Sequence, residues 1–281
     1  MGRMNVRPGP RTVGALLLSR AEPPTVRPAA RLLGERLLLA AAGPDWTVLV
    51  PEGKPWLDDG EPVERVVTGW ATALAVATAG RPALALWWDA DRAGFTLASG
   101  FRRTVGYTWL ADGTPAGEDE AVHTFADRLD LDPVLDVQAL EPLTEPDPDA
   151  DAHARLVGLT AVLTRTGLAL PEGLAPGESA DRLRAAAHGR GAELLEEGGL
   201  RDAVRAGLDA GEGGLLAPYP HSRPYGLGPW GRLLGAAQLA AGVPLLVRGI
   251  RRRSGGWTTA GALLVVHGAI GLVPDRRRRA P

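Results

Sequence analysis

Asp89 and Asp91 stand one residue apart and directly follow the apolar run of residues 83–88. Two carboxylates so placed at a strand end can hold Mg²⁺ or Mn²⁺ and bridge it to a sugar-nucleotide diphosphate, the chemistry of metal-dependent glycosyl- or nucleotidyl-type transferases. The same stretch, Asp-Ala-Asp-Arg-Ala-Gly, has the composition of a hairpin turn, in which Asp side chains accept from nearby amides and Gly94 supplies an unusual φ. The turn is the plainer reading, because no phosphate-binding loop accompanies the pair. The first strand-like run is followed by Ser19-Arg20-Ala21-Glu22-Pro23-Pro24, which lacks glycine and carries two prolines without an N–H. No cofactor is expected outside the transferase alternative, where it would be Mg²⁺ or Mn²⁺.

Other reactive side chains are scattered. His123 lies four residues from both Asp119 and Asp127, a spacing that suits a helix-surface ladder of ion pairs. His153 sits among Asp147, Asp149 and Asp151, while His188 and His221 have no partner nearby in sequence. None of the five serines lies in a Gly-x-Ser-x-Gly elbow. The absence of cysteine removes thiol nucleophiles, thiolate metal sites and disulfides together.

Binding candidates are clearer than catalytic ones. Arg102 and Arg103 follow Phe101 at a strand turn and suit an acidic or phosphorylated partner. Trp56, Trp87, Trp88 and Trp109 on the meander and its adjoining loop are expected to be exposed enough to dock a protein. Trp87 and Trp88 are adjacent in a strand and so must face opposite ways.

The elements that would position these groups read as α/β with α+β character. Residues 1–11 form a flexible arm, and residues 12–132 an α/β domain. It begins with a βαβ unit: a buried strand at 12–19, a helix from Thr25 to about residue 42, and a strand at 46–50, with the two strands parallel. A helix opened by Pro62 follows, with Val63, Val67, Trp70 and Leu74 on one face. Residues 83–110 read as a three-stranded antiparallel meander. A third helix starts at the acids 118–120 and turns Val122, Phe125 and Leu129 inward. Residues 133–152 are an acidic, Pro-rich linker, 153–210 a helical segment capped in part by Ser179, and 211–229 a Gly/Pro-rich linker.

Residues 230–274 form a hydrophobic helical hairpin, and 275–281 a basic tail. The runs 233–247 and 257–273 carry no formal charge. As helices they reach about 22 to 26 Å, against roughly 30 Å of hydrocarbon, a shortfall that bilayer thinning and snorkelling arginines can meet. Trp230 and Trp257 open the two runs at the interface, and Arg251, Arg252 and Arg253 lie between them. His267 is a polar group at membrane depth and needs a partner there. Basic clusters on both sides of the second run leave the orientation unassigned by the positive-inside rule.

Lys54 is the only lysine among 31 basic residues, and the net charge is −2. Arginine richness therefore reflects residue choice, and nucleic acid is not an expected partner. The apolar run 13–18 is too short for a signal h-region. The resulting expectation is a cytoplasmic head at the cell membrane, with membrane lipid and a protein as partners. It acts as a non-enzymatic interaction or regulatory module through Trp56, Trp88, Trp109, Arg102 and Arg103. The alternatives are the transferase using Asp89 and Asp91, and a wholly soluble cytoplasmic two-domain protein. The sequence carries no signature of oligomeric state.

Overall fold

A computed structural model of the chain describes residues 12–58 and 60–196. The apolar run Gly14–Ser19 forms β1 and is buried throughout. Then come α1 (Pro23–Arg31), β2 (Leu37–Ala41), β3 (Thr47–Pro51), α2 (Pro55–Asp58) and α3 (Val63–Ala77). The meander follows as β4 (Ala83–Trp88), β5 (Arg92–Ala98) and β6 (Val105–Leu110). The remaining elements are α4 (Asp119–Arg128), α5 (Leu135–Leu140), α6 (Ala152–Leu163), α7 (Ala180–Gly189) and β7 (Glu193–Leu195).

The fold mixes helices with one seven-stranded sheet of order β6-β5-β4-β1-β3-β2-β7, antiparallel at every pairing. Apart from the single turn of α2, its first half has β-α-β-β-α-β connectivity with order β4-β1-β3-β2, the split βαβ or ferredoxin-like arrangement. Because β1 and β2 are both antiparallel to β3, they run the same way with β3 between them.

This corrects the expected βαβ unit, in which β1 and the strand near residue 48 were parallel and joined by a long helix. The helix stops at Arg31, and Gly34 adopts a φ of 70°. Leu37-Leu38-Leu39-Ala40-Ala41 is unbroken apolar sequence that fits a strand as well as a helix. It pairs with β3 in a hairpin that the Ala42 N–H closes on the Trp46 carbonyl at 2.8 Å. The antiparallel meander over β4, β5 and β6 has the expected form.

Strand alternation divides the core between two faces. Leu16, Leu18, Leu86, Phe95 and Tyr107 share a cluster with Phe125 of α4, Leu156 and Leu159 of α6, and Leu183 of α7. On the opposite face α3 buries Val67, Trp70 and Leu74, and its Thr68 hydroxyl donates to Thr96 of β5 at 2.9 Å.

Residues 133–152 are not a spacer. Asp132 accepts from the Val134 and Leu135 amides at 2.9 and 2.7 Å and so starts α5, whose Leu140 is buried in the core. Apolar residues at helical spacing (Val137, Leu140) outweigh the acid and proline content that suggested a linker. Residues Arg36–Glu196 accordingly lie in one compact unit with the chain up to Arg27. Pro28–Glu35 clusters with a second unit, of which only these residues are described: the end of α1 and a turn in which the Leu33 N–H donates to the Ala30 carbonyl at 3.1 Å.

Among the described residues no helix is long and apolar enough to cross a membrane. The expected hydrophobic hairpin, with Trp230, Arg251, Arg252, Arg253, Trp257 and His267, lies outside the described residues, as do the arm 1–11 and the segments beyond residue 196.

Candidate functional site

The β4–β5 connection is the three residues Asp89-Ala90-Asp91. Asp89 Oδ1 accepts from the Asp91 and Arg92 amides at 2.9 Å each, and the Asp89 N–H donates to the Arg92 carbonyl at 2.9 Å. The carboxylate thus organises the turn. Asp91 is exposed, and its backbone carbonyl accepts from the Ala111 amide at 2.7 Å.

Asp89 lines an open cleft of about 610 Å³, walled by Trp88 and Arg92 from the strands and by the starts of α6 (Asp151, His153) and α7 (Glu178, Ser179, Arg182). Two helix N-termini converge there, but each is capped by its own chain. Asp151 accepts from the Ala154 amide at 2.9 Å, and the Ser179 hydroxyl from the Arg182 amide at 3.3 Å. The cleft's cations are engaged as well: Arg92 pairs with Glu64 at 3.1 Å and Arg182 with Glu178 at 3.2 Å. Among the described residues no three acids or histidines converge on a position that could hold a metal ion. Among the described residues, Asp89 and Asp91 thus have no third acid or histidine beside them, and the Asp89 carboxylate is turned onto the amides of its own turn.

The β5–β6 hairpin has a different character. Gly100 (φ 57°) and Gly80 (φ 86°) pass so closely that a Cβ on Gly100 would lie 3.3 Å from the Gly80 Cα, which brings the backbone preceding exposed Arg81 against the turn. At the tip Phe101 is 66% exposed, with Arg102 and Arg103 exposed beside it. Arg128, closing α4, donates to the Arg103 carbonyl at 2.6 Å. Burial first, and then the like charge of Arg102, lower the Arg128 pKa from its ordinary value. Among the described residues no carboxylate pairs with Arg81, Arg102, Arg103 or Arg128. Arg102 and Arg103 were visible in the sequence as a pair; Arg81 and Arg128 join them only through the Gly80–Gly100 approach and the end of α4.

The tryptophans expected on the surface are interior. Trp56, Trp87, Trp88 and Trp109 are 4%, 1%, 4% and 1% exposed. Both faces of the meander are covered, by α3 on one side and by the helices after β6 on the other. Trp88 Nε1 donates to the Glu178 carbonyl at 2.9 Å and Trp109 Nε1 to the Leu143 carbonyl at 2.7 Å, so both rings fasten the helical layer to the sheet.

The three described histidines, His123, His153 and His188, sit in separate places. His123 is exposed, with Nδ1 3.4 Å from the Asp119 carbonyl oxygen. The His153 ring packs on Gly177, where a Cβ would collide with it. His188 Nε2 lies 3.0 Å from a Glu52 carboxylate oxygen, a pairing across 136 positions that no local pattern announces. Near it the Lys54 ammonium bonds Asp181 at 2.7 Å and holds that carboxyl below the usual carboxylate range.

What emerges is a split βαβ sheet domain, widened by a meander and backed by helices, whose distinguishing surface is an arginine-flanked aromatic hairpin tip. No protein-family model matches the chain, and no curated protein or solved structure was found to be similar to it.

Proposed function

We propose that the chain is a membrane-tethered cytoplasmic protein whose head works as a non-enzymatic interaction or regulatory module, docking through the β5–β6 tip. The observation that carries this reading is Phe101, 66% exposed beside Arg102 and Arg103. An aromatic ring left in water gains most by being covered, and guanidinium groups without carboxylate partners are suited to forked hydrogen bonding with phosphate or carboxylate. The tether rests on the two uncharged runs 233–247 and 257–273. Fractionation of lysate tests it: the full chain should sediment with membranes, and a chain ending near residue 220 should move to the supernatant. Full-length protein in the supernatant would refute the tether.

A further inference from the structure

We propose that the sheet end bearing Phe101, Arg81, Arg102, Arg103 and Arg128 is a lipid-facing surface that seats the Phe101 ring among the headgroups of an anionic bilayer. This rests on the reading above and names the partner of the same tip.

The first argument is shape. Phe101 stands at a hairpin tip and not in a groove, with exposed residues on its C-terminal side. Peptide recognition usually uses a concave or strand-edge site that surrounds the incoming side chains. A single projecting ring flanked by cations instead matches the layered chemistry of a membrane surface, where phosphates lie outside and acyl chains beneath.

The second argument is charge. The four arginines come from three separate places, namely the α3–β4 connection, the β5–β6 turn and the end of α4, and none is neutralised by a carboxylate among the described residues. Their grouping leaves positive charge concentrated at one end of a domain in which acidic residues outnumber basic ones. Arginine binds phosphate oxygens in a planar fork, so headgroup phosphates satisfy all four without requiring a matched sequence.

The third argument is support. Arg128 donates to the Arg103 carbonyl at 2.6 Å, and the Gly80–Gly100 approach braces the turn from the other side. The ring is thus presented on a fixed platform.

The chain has no cysteine, so one introduced at Thr104 takes a single environment-sensitive nitrobenzoxadiazole dye. The full chain carrying this dye is mixed with vesicles of phosphatidylcholine alone, or of phosphatidylcholine with phosphatidylserine. We expect a blue shift and a several-fold rise in emission on the serine-lipid vesicles only. R102E/R103E, and separately F101S, should lose most of the rise while far-UV circular dichroism and vesicle sedimentation stay as in the parent. A chain that sediments with vesicles while the dye stays silent, or responds equally on neutral lipid, overturns the lipid-facing tip and leaves the tether standing. A chain that does not sediment on any vesicle and gives no dye response overturns both. A dye that responds to polyglutamate but not to vesicles assigns the tip to an acidic protein and also overturns the proposal.

Discussion

Replacing Asp89 separates a turn-forming carboxylate from a metal-binding one. Its Oδ1 accepts two amides at 2.9 Å, and the side chain is 25% exposed. Removing a side-chain acceptor that satisfies backbone amides in this way costs about 0.5–2 kcal/mol. Two amides lose their acceptor at once, which favours the upper part of that range, and water replaces only some of the bonding, so about 1–2 kcal/mol is the working figure for Asp89→Ala. For a domain of this size that corresponds to a fall of roughly 2–8 °C in Tm. Asp89→Asn keeps the accepting oxygen and should stay within about 0.5 kcal/mol of the parent. Asp91→Ala should also be near neutral, since that residue is exposed and contributes its backbone carbonyl to the fold. Thermal unfolding of the full chain, followed by circular dichroism and tryptophan fluorescence, measures all three, with Mn²⁺ titration calorimetry alongside. The turn assignment fails if Asn is as damaging as Ala, or if the chain binds Mn²⁺ and Asp91→Ala abolishes the binding.

Gly94→Ala should destabilise by about 1–3 kcal/mol, because a Cβ there would sit 2.4 Å from the Tyr107 carbonyl oxygen and 2.6 Å from the Trp87 ring; an unchanged urea midpoint would contradict this packing. Arg155 is 2% exposed and donates to the Pro142 and Glu145 carbonyls. Arg155→Ala should therefore cost about 3 kcal/mol or more through a cavity and two deserted carbonyls, and a loss below about 1 kcal/mol would show that water reaches them. Bonds from the Leu135 and Val134 amides hold the Asp132 carboxyl below its ordinary range. Its folded pKa is depressed, so its stabilisation is present above the unfolded value and disappears as pH falls through the folded one. The stability gap between the parent and Asp132→Ala should narrow on acidification below the ordinary carboxylate pKa, and a gap constant with pH would refute the linkage.

Local patterns made part of the fold legible. The stripe Val63, Val67, Trp70, Leu74 predicted α3, and the alternation of Val105, Tyr107 and Trp109 predicted β6, because each pattern fits only one period. Residues 37–41 failed for the opposite reason: five consecutive apolar residues fit either period, and the hairpin with β3 decides between them. β7 was invisible, since three residues carry almost no periodic signal and the strand exists through its pairing with β2. The turn chemistry of Asp89 was readable because an Asx turn is local, within three residues. Burial of Trp88 and Trp109 was not, because the layer covering them comes from residues 119–189, and nothing near either tryptophan encodes that cover. The same limit hid Arg81 and Arg128 from the tip, where only the adjacent Arg102 and Arg103 could be seen together.

The net charge of the domain works against a lipid-facing tip, since its described residues are acidic on balance. Distance decides which effect wins. At physiological ionic strength the screening length is about 8 Å, so the acids that offset the tip arginines are those beside them, exposed Asp127 and Asp130 flanking Arg128, while more distant acids contribute little at the bilayer. Each basic residue at an anionic surface is worth about 1 kcal/mol, which bounds the four arginines near 4 kcal/mol, less for half-buried Arg128. A fully buried Phe ring adds about 1.5–3 kcal/mol, and insertion at headgroup depth realises only part of it. Such a sum, about 4–6 kcal/mol, gives reversible contact and not anchoring. The tip then orients a head that other segments retain, and the acidic body, repelled by the same lipids, turns away from the membrane. Salt should separate the two roles: near 1 M the screening length falls to about 3 Å, so the dye at residue 104 should lose its response while the chain still sediments with the vesicles. Loss of both together would make the arginines the anchor, and persistence of both would show that the tip is held by something other than charge.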